Sequence, residues 1–175
     1  MKILLAAMNA KYIHSNLAVY SLKAYAKEFA EHIVIGEYTI NNRADYILEQ
    51  IYKQKPDVLC ISCYIWNIGY VEEIIREFHK LCPKVPIWLG GPEVSFEVET
   101  FMKGHPEVTG IMMGEGERTF YALCDFYVNG NGSLQNLSGI AYRDRGAGVL
   151  HIIAPEAPMN MSDIPFCYEE IADFK

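Results

Sequence analysis

Three short stretches hold the residues of this chain that are best suited to bind a ligand. They are Asn9-Ala10-Lys11-Tyr12-Ile13-His14-Ser15, Gly90-Gly91-Pro92-Glu93 and Gly114-Glu115-Gly116-Glu117, and each follows an apolar run. Paired glycines let bare backbone approach a large ligand, while amides and carboxylates exchange hydrogen bonds with its polar groups. Glu115 and Glu117 would repel a phosphate and favour a neutral ligand rich in amide or hydroxyl donors, unless they only complement the positive end of the following helix.

No constellation for catalysis is visible in the sequence. The histidines at 32, 79, 105 and 151 lack the spacing of metal ligands. Cys60 and Cys63 form a Cys-x-x-Cys inside an apolar run, where residues three apart on a strand point to opposite faces. We therefore interpret the pair as two small buried hydrophobic residues, and we expect any chemistry to come from a cofactor or from another domain.

The elements that must position these stretches alternate between strands and helices. Apolar runs predict five strands, over 2–8, 33–38, 58–64, a run ending at Gly90, and 108–113. Helical periodicity predicts helices from a cap at Ser15 or Asn16 to Phe29, and over 43–54, 69–81, 95–103 and 118–128. Right-handed crossovers then predict a doubly wound parallel sheet of order 2-1-3-4-5, whose carboxyl edge gathers the three stretches in one crevice.

The chain changes character after Gly132. Short alternating runs over 139–143 and 149–154, around Gly146-Ala147-Gly148, predict a small β-hairpin. Prolines at 155, 158 and 165 without periodicity predict a linker. We therefore predict an α/β domain over 1–132, a hairpin appendage over 133–154 and a linker over 155–175 that leads to a further domain absent from the chain.

Composition narrows the partners and the compartment. The formal net charge is −7 and the pI is about 5.2, which argues against nucleic acid and anionic membranes as partners. Five irregularly spaced cysteines suit reduced thiols, and neither a long apolar run nor a signal-peptide pattern is present. The sequence thus predicts a cytoplasmic protein.

Other doubly wound families fail on the residues that their chemistry needs. A dinucleotide fold needs Gly-x-Gly-x-x-Gly after the first strand, and a phosphate loop needs Gly-x-x-x-x-Gly-Lys-Ser/Thr; neither is present. A phosphoacceptor receiver needs acidic residues after the first and third strands, where Asn9 and Ser62-Cys63 stand.

The three stretches in this order, extended over 9–18, 90–95 and 114–117, resemble the N-terminal cobalamin-binding domain of cobalamin-dependent radical SAM proteins. The resemblance implies a flavodoxin-like domain that holds cobalamin at the carboxyl edge of the sheet. It also implies a downstream radical SAM domain that binds S-adenosylmethionine and a [4Fe-4S] cluster through Cys-x-x-x-Cys-x-x-Cys and performs methyl transfer or a related radical reaction. This chain alone would then not be catalytic.

The resemblance also implies which residues line the corrin and its nucleotide tail. They are Asn9, Lys11, Tyr12, His14, Ser62, Tyr64, Ile65, Gly90, Gly91, Glu93, Gly114, Glu115, Gly116 and Glu117. Domains in which a histidine ligates cobalt carry Asp-x-His-x-x-Gly; around His14 both the aspartate and the glycine are missing, so His14 is better interpreted as a solvent-facing or capping residue.

Two other classes of function remain open from the residues alone. The same fold with an empty crevice would be a protein-interaction or regulatory module that docks through aromatic surface. A small enzyme acting on a neutral sugar or nucleoside would use Glu93, Glu115 or Glu117 as acid or base.

Overall fold

The computed structural model describes residues 1–10, 15–144, 146 and 148–167. Its strands are β1 (Ile3–Asn9), β2 (Ile33–Thr39), β3 (Val58–Ser62), β4 (Ile87–Gly90), β5 (Gly110–Met112), β6 (Ile140–Arg143) and β7 (Leu150–Ile153). Its helices are α1 (Leu17–Tyr25), α2 (Ala44–Gln54), α3 (Ile68–Leu81), α4 (Pro92–Ser95), α5 (Val98–Gly104) and α6 (Gly116–Asn129).

One sheet contains all seven of these strands, in the order β2-β1-β3-β4-β5-β6-β7. The first five are parallel, which confirms the predicted doubly wound order 2-1-3-4-5. The prediction of a five-stranded parallel sheet with an appended hairpin was wrong in the number of strands, because β6 pairs antiparallel with β5 and β7 pairs antiparallel with β6, which makes one mixed sheet of seven strands. The hairpin satisfies the backbone groups that the edge of β5 would otherwise expose.

The bounds of several helices and strands differ from those that the sequence predicts. The first helix ends at Tyr25 and is followed by a 3₁₀ turn, Lys27–His32, that contains Phe29. The helix predicted over 95–103 corresponds to α5, which begins at Val98, and a separate short helix, α4, precedes it with Pro92 in its first turn. β3 stops at Ser62 because the backbone N–H of Tyr64 donates to Oδ1 of Asn67, which turns the chain.

Apolar residues fill a layer on each side of the sheet. One layer packs α2, α3 and α5 against the sheet, and the other packs α1 and α6 against the opposite face. Cys63 lies in the first layer and Cys60 in the second, which confirms that the two thiols point to opposite faces. Burial raises the pKa of both thiols, so neither is poised to ionise.

Among the described residues, no helix is long and apolar enough to cross a bilayer.

Candidate functional site

The carboxyl ends of three neighbouring strands meet in one row. Ser62 of β3 is in register with Gly90 of β4, and Gly90 is in register with Met112 of β5. Paired residues of parallel strands point to the same face, and two positions earlier the same face carries Cys60 and Trp88 of the α1/α6 layer. The row therefore opens toward α1 and α6.

Beneath this row lies a cavity of about 540 Å³ between the sheet, α1 and α6. Its floor is apolar, formed by the side chains of Leu5, Val19, Cys60 and Met112, each no more than 5% exposed. Ile61 also borders the cavity, but its side chain packs in the layer on the opposite face of the sheet. The remaining lining comes from Ala18, Leu22, Ser62, Tyr64, Gly90, Gly91, Pro92, Ser95, Phe96, Met113, Gly114, Gly116, Glu117 and Pro155. The size and the apolar lining are those of a ligand pocket.

The structure brings seven of the predicted site residues to this cavity: Ser62, Tyr64, Gly90, Gly91, Gly114, Gly116 and Glu117. Four others, Asn9, Ile65, Glu93 and Glu115, are not part of its lining. Lys11, Tyr12 and His14 lie outside the described residues. The expected crevice is thus present at the carboxyl edge of the sheet.

The two adjacent glycines differ in what requires them. A Cβ on Gly90 would have only ordinary contacts, the nearest being the Met112 side chain at 3.5 Å, on the cavity side of β4. A Cβ on Gly91 would overlap the carbonyl oxygen of Cys63, and Gly91 has φ of +110°. Gly91 is therefore required by the chain's own backbone, whereas Gly90 leaves space in the cavity.

The three predicted carboxylates do not converge on one point. Glu117 lines the cavity and accepts a hydrogen bond from the Ser21 hydroxyl at 2.8 Å. Glu115 accepts from the backbone N–H of Met159 at 2.6 Å, and Glu93 is exposed beside a separate, shallower depression. This arrangement does not form the paired acid and base that a hydrolytic site would use.

Two asparagines organise the loops around the mouth of the cavity. Asn16 caps α1 by accepting from the N–H of Ala18, and its Nδ2 donates to the Ser62 hydroxyl at 3.1 Å. Asn67 has no exposed surface, and its Nδ2 donates to the carbonyl oxygens of Met8 and Ser62 at 3.1 and 3.0 Å. Both side chains fix the backbone that carries the row of strand ends.

Aromatic and aliphatic side chains stand exposed at the same edge. The rings of Tyr64 and Trp66 stack with centroids 4.5 Å apart and planes 5° from parallel, and Nε1 of Trp66 donates to the carbonyl oxygen of Met8. Ile65 is 77% exposed and Phe96 is 88% exposed. Burial raises the pKa of Tyr64, so its hydroxyl stays protonated near neutral pH.

Sequence reasoning missed Asn16, Asn67, Trp66 and Phe96. The signal for two of them was present, because Trp66-Asn67 directly follows the predicted third strand at the edge where ligand loops gather. The sequence indicates Asn16 only as a helix cap and Phe96 only as part of a helix, because neither pattern shows which way a side chain points.

The segment after β7 closes one side of the cavity. Pro155 is a wall residue, and a Cβ on Gly114 would lie 3.2 Å from it. Glu156 accepts from Arg118 at 3.3 Å and from Ser138 at 3.1 Å, and the side chain of Met159 is buried. A second cavity of about 360 Å³ lies under this segment, between it and α6.

A metal site made by protein side chains alone is not found in the described ranges, which contain no group of three His, Cys, Asp or Glu able to hold an ion. A doubly wound α/β domain with an apolar cavity under its strand ends is a ligand-binding class of fold. The family model of the B12 binding domain matches residues 3–124, so the chain belongs to the B12 binding domain family.

Relatives in sequence carry the same kind of domain inside longer chains. The cobalamin-dependent radical SAM methyltransferase TokK of Streptomyces tokunonensis is 28% identical over 134 residues, which is 77% of this chain and 18% of that protein. The cytidylyl-2-hydroxyethylphosphonate methyltransferase of Streptomyces wedmorensis is 30% identical over 122 residues, 69% of this chain and 22% of that protein. This chain thus spans about a fifth of the length of these curated relatives.

Solved structures share the fold. The cobalamin-dependent S-adenosylmethionine radical enzyme OxsB, solved with aqua-cobalamin and S-adenosylmethionine bound, superposes with a TM-score of 0.74 at 19% identity. The match covers 94% of this chain and 23% of that one. At this identity the likeness establishes the fold of the chain.

Proposed function

We propose that the chain binds cobalamin at the carboxyl edge of its sheet, with the nucleotide tail in the cavity and the corrin over its mouth. The observation that carries the proposal is the apolar cavity beneath the row of Ser62, Gly90 and Met112, in a chain of the B12 binding domain family. Cobalamin combines a large corrin fringed with amides and a nucleotide tail that ends in an apolar bicyclic base.

The cavity fits the tail better than the corrin. Its volume of about 540 Å³ and its buried floor suit a flat base with its ribose, whereas the broad corrin would remain outside. Gly90 lacks a side chain on the cavity side of β4, so the entrance between β3 and β5 stays open. The residues that line the cavity therefore match the nucleotide tail of cobalamin in shape and in polarity.

The mouth offers partners for the corrin. The stacked rings of Tyr64 and Trp66 form a flat apolar surface beside the entrance, and Ile65 and Phe96 extend it. Asn16 and Ser62 present polar groups at the same edge. We retain Asn9, Lys11, Tyr12, His14, Ile65, Glu93 and Glu115 as predicted neighbours of the cofactor, with His14 unsuited to ligate cobalt.

Bound cobalamin would supply a cobalt centre able to carry a methyl group. The residues of this chain would bind and orient the cofactor and keep water away from its tail, and none of them is assigned a catalytic step. This role agrees with the relatives described above, which are methyltransferases.

We further propose that the domain works within a radical SAM methyltransferase-like enzyme. The relatives are several times longer than this chain, and the segment over 155–175 would lead from the α/β domain to a radical SAM domain holding S-adenosylmethionine and a [4Fe-4S] cluster. We place this enzyme in the cytoplasm, where its cysteines would stay reduced. The encoded polypeptide should contain Cys-x-x-x-Cys-x-x-Cys; its absence would remove the radical SAM part of the proposal.

A titration with hydroxocobalamin tests the binding proposal. After gel filtration, the protein peak should carry corrin absorbance that saturates at one equivalent. Gly90→Leu should weaken binding at least tenfold, roughly 1.4 kcal/mol or more, because its side chain would fill the cavity entrance. Gly104→Leu is the matched control, since a Cβ on Gly104 meets nothing within 4 Å and Gly104 is not part of the lining.

The outcomes separate the candidate functions. Saturable binding lost only in Gly90→Leu would support the cobalamin site. No co-elution at high hydroxocobalamin concentration would contradict it and favour the interaction module. Equal binding by both leucine variants would place the cofactor elsewhere.

A further inference from the structure

We propose that the cavity selects among cobamides by the chemistry of the lower base, accepting a benzimidazole and discriminating against adenine. The inference rests on the proposed function, since it concerns which tail the same cavity takes. Cobamides share the corrin and differ in this base, so a selective cavity would decide which member of the class the protein uses.

The floor of the cavity offers almost nothing polar. Leu5 and Val19 are each 2% exposed and present only hydrocarbon. Met112 adds a thioether, and the thiol of Cys60 is a weak donor whose pKa is raised by burial. A base that reaches this floor cannot form strong hydrogen bonds along the edge that contacts it.

The polar side chains lie higher in the cavity and bond to the chain itself, although the carboxylate of Glu117 can accept further hydrogen bonds. The Ser95 hydroxyl donates to the carbonyl oxygen of Gly91 at 2.7 Å, and Glu117 accepts from Ser21 at 2.8 Å. The Ser62 hydroxyl accepts from Asn16 and keeps one hydrogen that it can donate. With the protonated hydroxyl of Tyr64, which also lines the cavity, the upper part of the cavity has two hydroxyl donors for a nitrogen acceptor, whereas the floor has no strong donor.

The two kinds of base differ in what they demand. Dimethylbenzimidazole released from cobalt has one acceptor nitrogen, and its methyl groups suit the hydrocarbon floor. Adenine has an amino group with two donors and several ring acceptors, and those that reach the apolar floor would be buried without partners. Each buried polar group left unpaired is unfavourable, so binding of the adenine cobamide should be at least about tenfold weaker.

The decisive measurement compares three ligands in excess cyanide: dicyanocobalamin, the dicyano form of the cobamide with adenine as lower base, and dicyanocobinamide, which lacks the nucleotide. Cyanide occupies both faces of cobalt, so the base is free in both cobamides and its detachment does not bias the comparison. Equilibrium dialysis of the full chain, read by corrin absorbance, gives each dissociation constant. Dicyanocobalamin should bind at least about tenfold tighter than either of the others.

A variant tests the direction of the selectivity. Leu22→Gln places an amide on the α1 wall of the cavity, and an amide can pair with the amino group and a ring nitrogen of adenine. It should reduce the preference for dicyanocobalamin at least about threefold. Leu81→Gln is the matched control, because Leu81 ends α3 with 55% exposure and is not part of the lining.

The results distinguish failure of this inference from failure of the proposed function. Equal binding of the two cobamides, or binding of dicyanocobinamide as tight as that of dicyanocobalamin, would overturn the inference while leaving cobalamin binding intact. Binding of none of the three would overturn both. If Leu22→Gln does not fold by circular dichroism, the ratio measured on the unaltered chain still decides.

Discussion

At the scale of single residues, the adjacent glycines at the end of β4 serve different purposes. Gly90 lies on the cavity side, where its missing side chain leaves room. Gly91 has φ of +110°, and a Cβ there would overlap the backbone of Cys63 at the turn from β4 into α4. One glycine thus acts on the site and the other on the fold.

Gly91→Ala should destabilise the protein rather than block the cavity. The added methyl would overlap the carbonyl oxygen of Cys63 in a backbone conformation that alanine disfavours, and we expect a loss of about 2 kcal/mol or more in the free energy of unfolding. Urea denaturation measures it. Gly104→Ala, at a position with open space, should change stability by less than about 1 kcal/mol; equal losses in both variants would refute the argument.

The sequence could identify the glycine pair but not divide its roles. The apolar run ending in Gly90-Gly91 correctly predicted a strand end at the carboxyl edge. Which glycine faces the cavity depends on the register of β4 against β3 and β5, and that register is set by contacts distant in sequence. The same limit explains why Glu115 was expected beside the crevice, although its carboxylate binds the N–H of Met159.

At the scale of elements, Asn67 joins the ends of β1 and β3 to the start of α3. Its amide nitrogen donates to the carbonyl oxygens of Met8 and Ser62, and its Oδ1 accepts from the N–H of Tyr64. Three backbone groups therefore bond to one buried side chain at the edge where two loops approach the cavity, and of these the carbonyl oxygen of Met8 also accepts from Nε1 of Trp66. Buried polar groups without a partner are costly, so this position tolerates few alternatives.

Asn67→Ala should lower the free energy of unfolding by about 2–3 kcal/mol, because the fully buried position loses its hydrogen bonds to the N–H of Tyr64 and to the carbonyl oxygens of Ser62 and Met8. Chemical denaturation measures the loss. The control is Asn129→Ala at the exposed C-terminal end of α6, where the side chain only donates to Asp125 and the expected change is below about 0.5 kcal/mol. A stable Asn67→Ala protein would show that solvent replaces these hydrogen bonds.

The sequence predicted the order of the first five strands, but it did not predict that the hairpin would extend the same sheet. Alternating apolar runs and helical periodicity were sufficient for the parallel order 2-1-3-4-5. The pattern of β6 and β7 indicated a hairpin but not the strand to which it would pair. Pairing with β5 depends on Gly110, which is paired with Tyr142 of β6 and leaves room for the ring of Trp88. No local sequence pattern indicates this contact.

At the scale of the whole molecule, the segment after β7 connects the cavity to the end of the described chain. Pro155 forms part of the cavity wall, and four residues later the N–H of Met159 donates to Glu115, which precedes α6. The loop over 114–117 therefore faces the main cavity with Gly114, Gly116 and Glu117 and holds the outgoing segment with Glu115. Anything that moves this segment must also change one wall of the cavity.

Glu115→Ala should loosen the segment over 155–167 in the full chain. Loss of the hydrogen bond from Met159 to a charged acceptor should raise the open population about tenfold, and proteolysis follows that population when opening is fast. Cleavage within 155–167 by a protease of low specificity, followed by mass spectrometry, should accelerate accordingly. Glu99→Ala, which removes only an exposed ion pair with Lys103, should leave the rate unchanged.

Hydroxocobalamin adds a second measurement to the same experiment. Because Pro155 lines the cavity, an occupied cavity should hold the segment closed and slow its cleavage in the unaltered chain and, to a smaller degree, in Glu115→Ala. If Glu115→Ala is cleaved faster and hydroxocobalamin does not slow this cleavage, Glu115 acts only by holding the segment. Identical cleavage of Glu115→Ala and the unaltered chain would show that the contact with Met159 does not hold the segment in place.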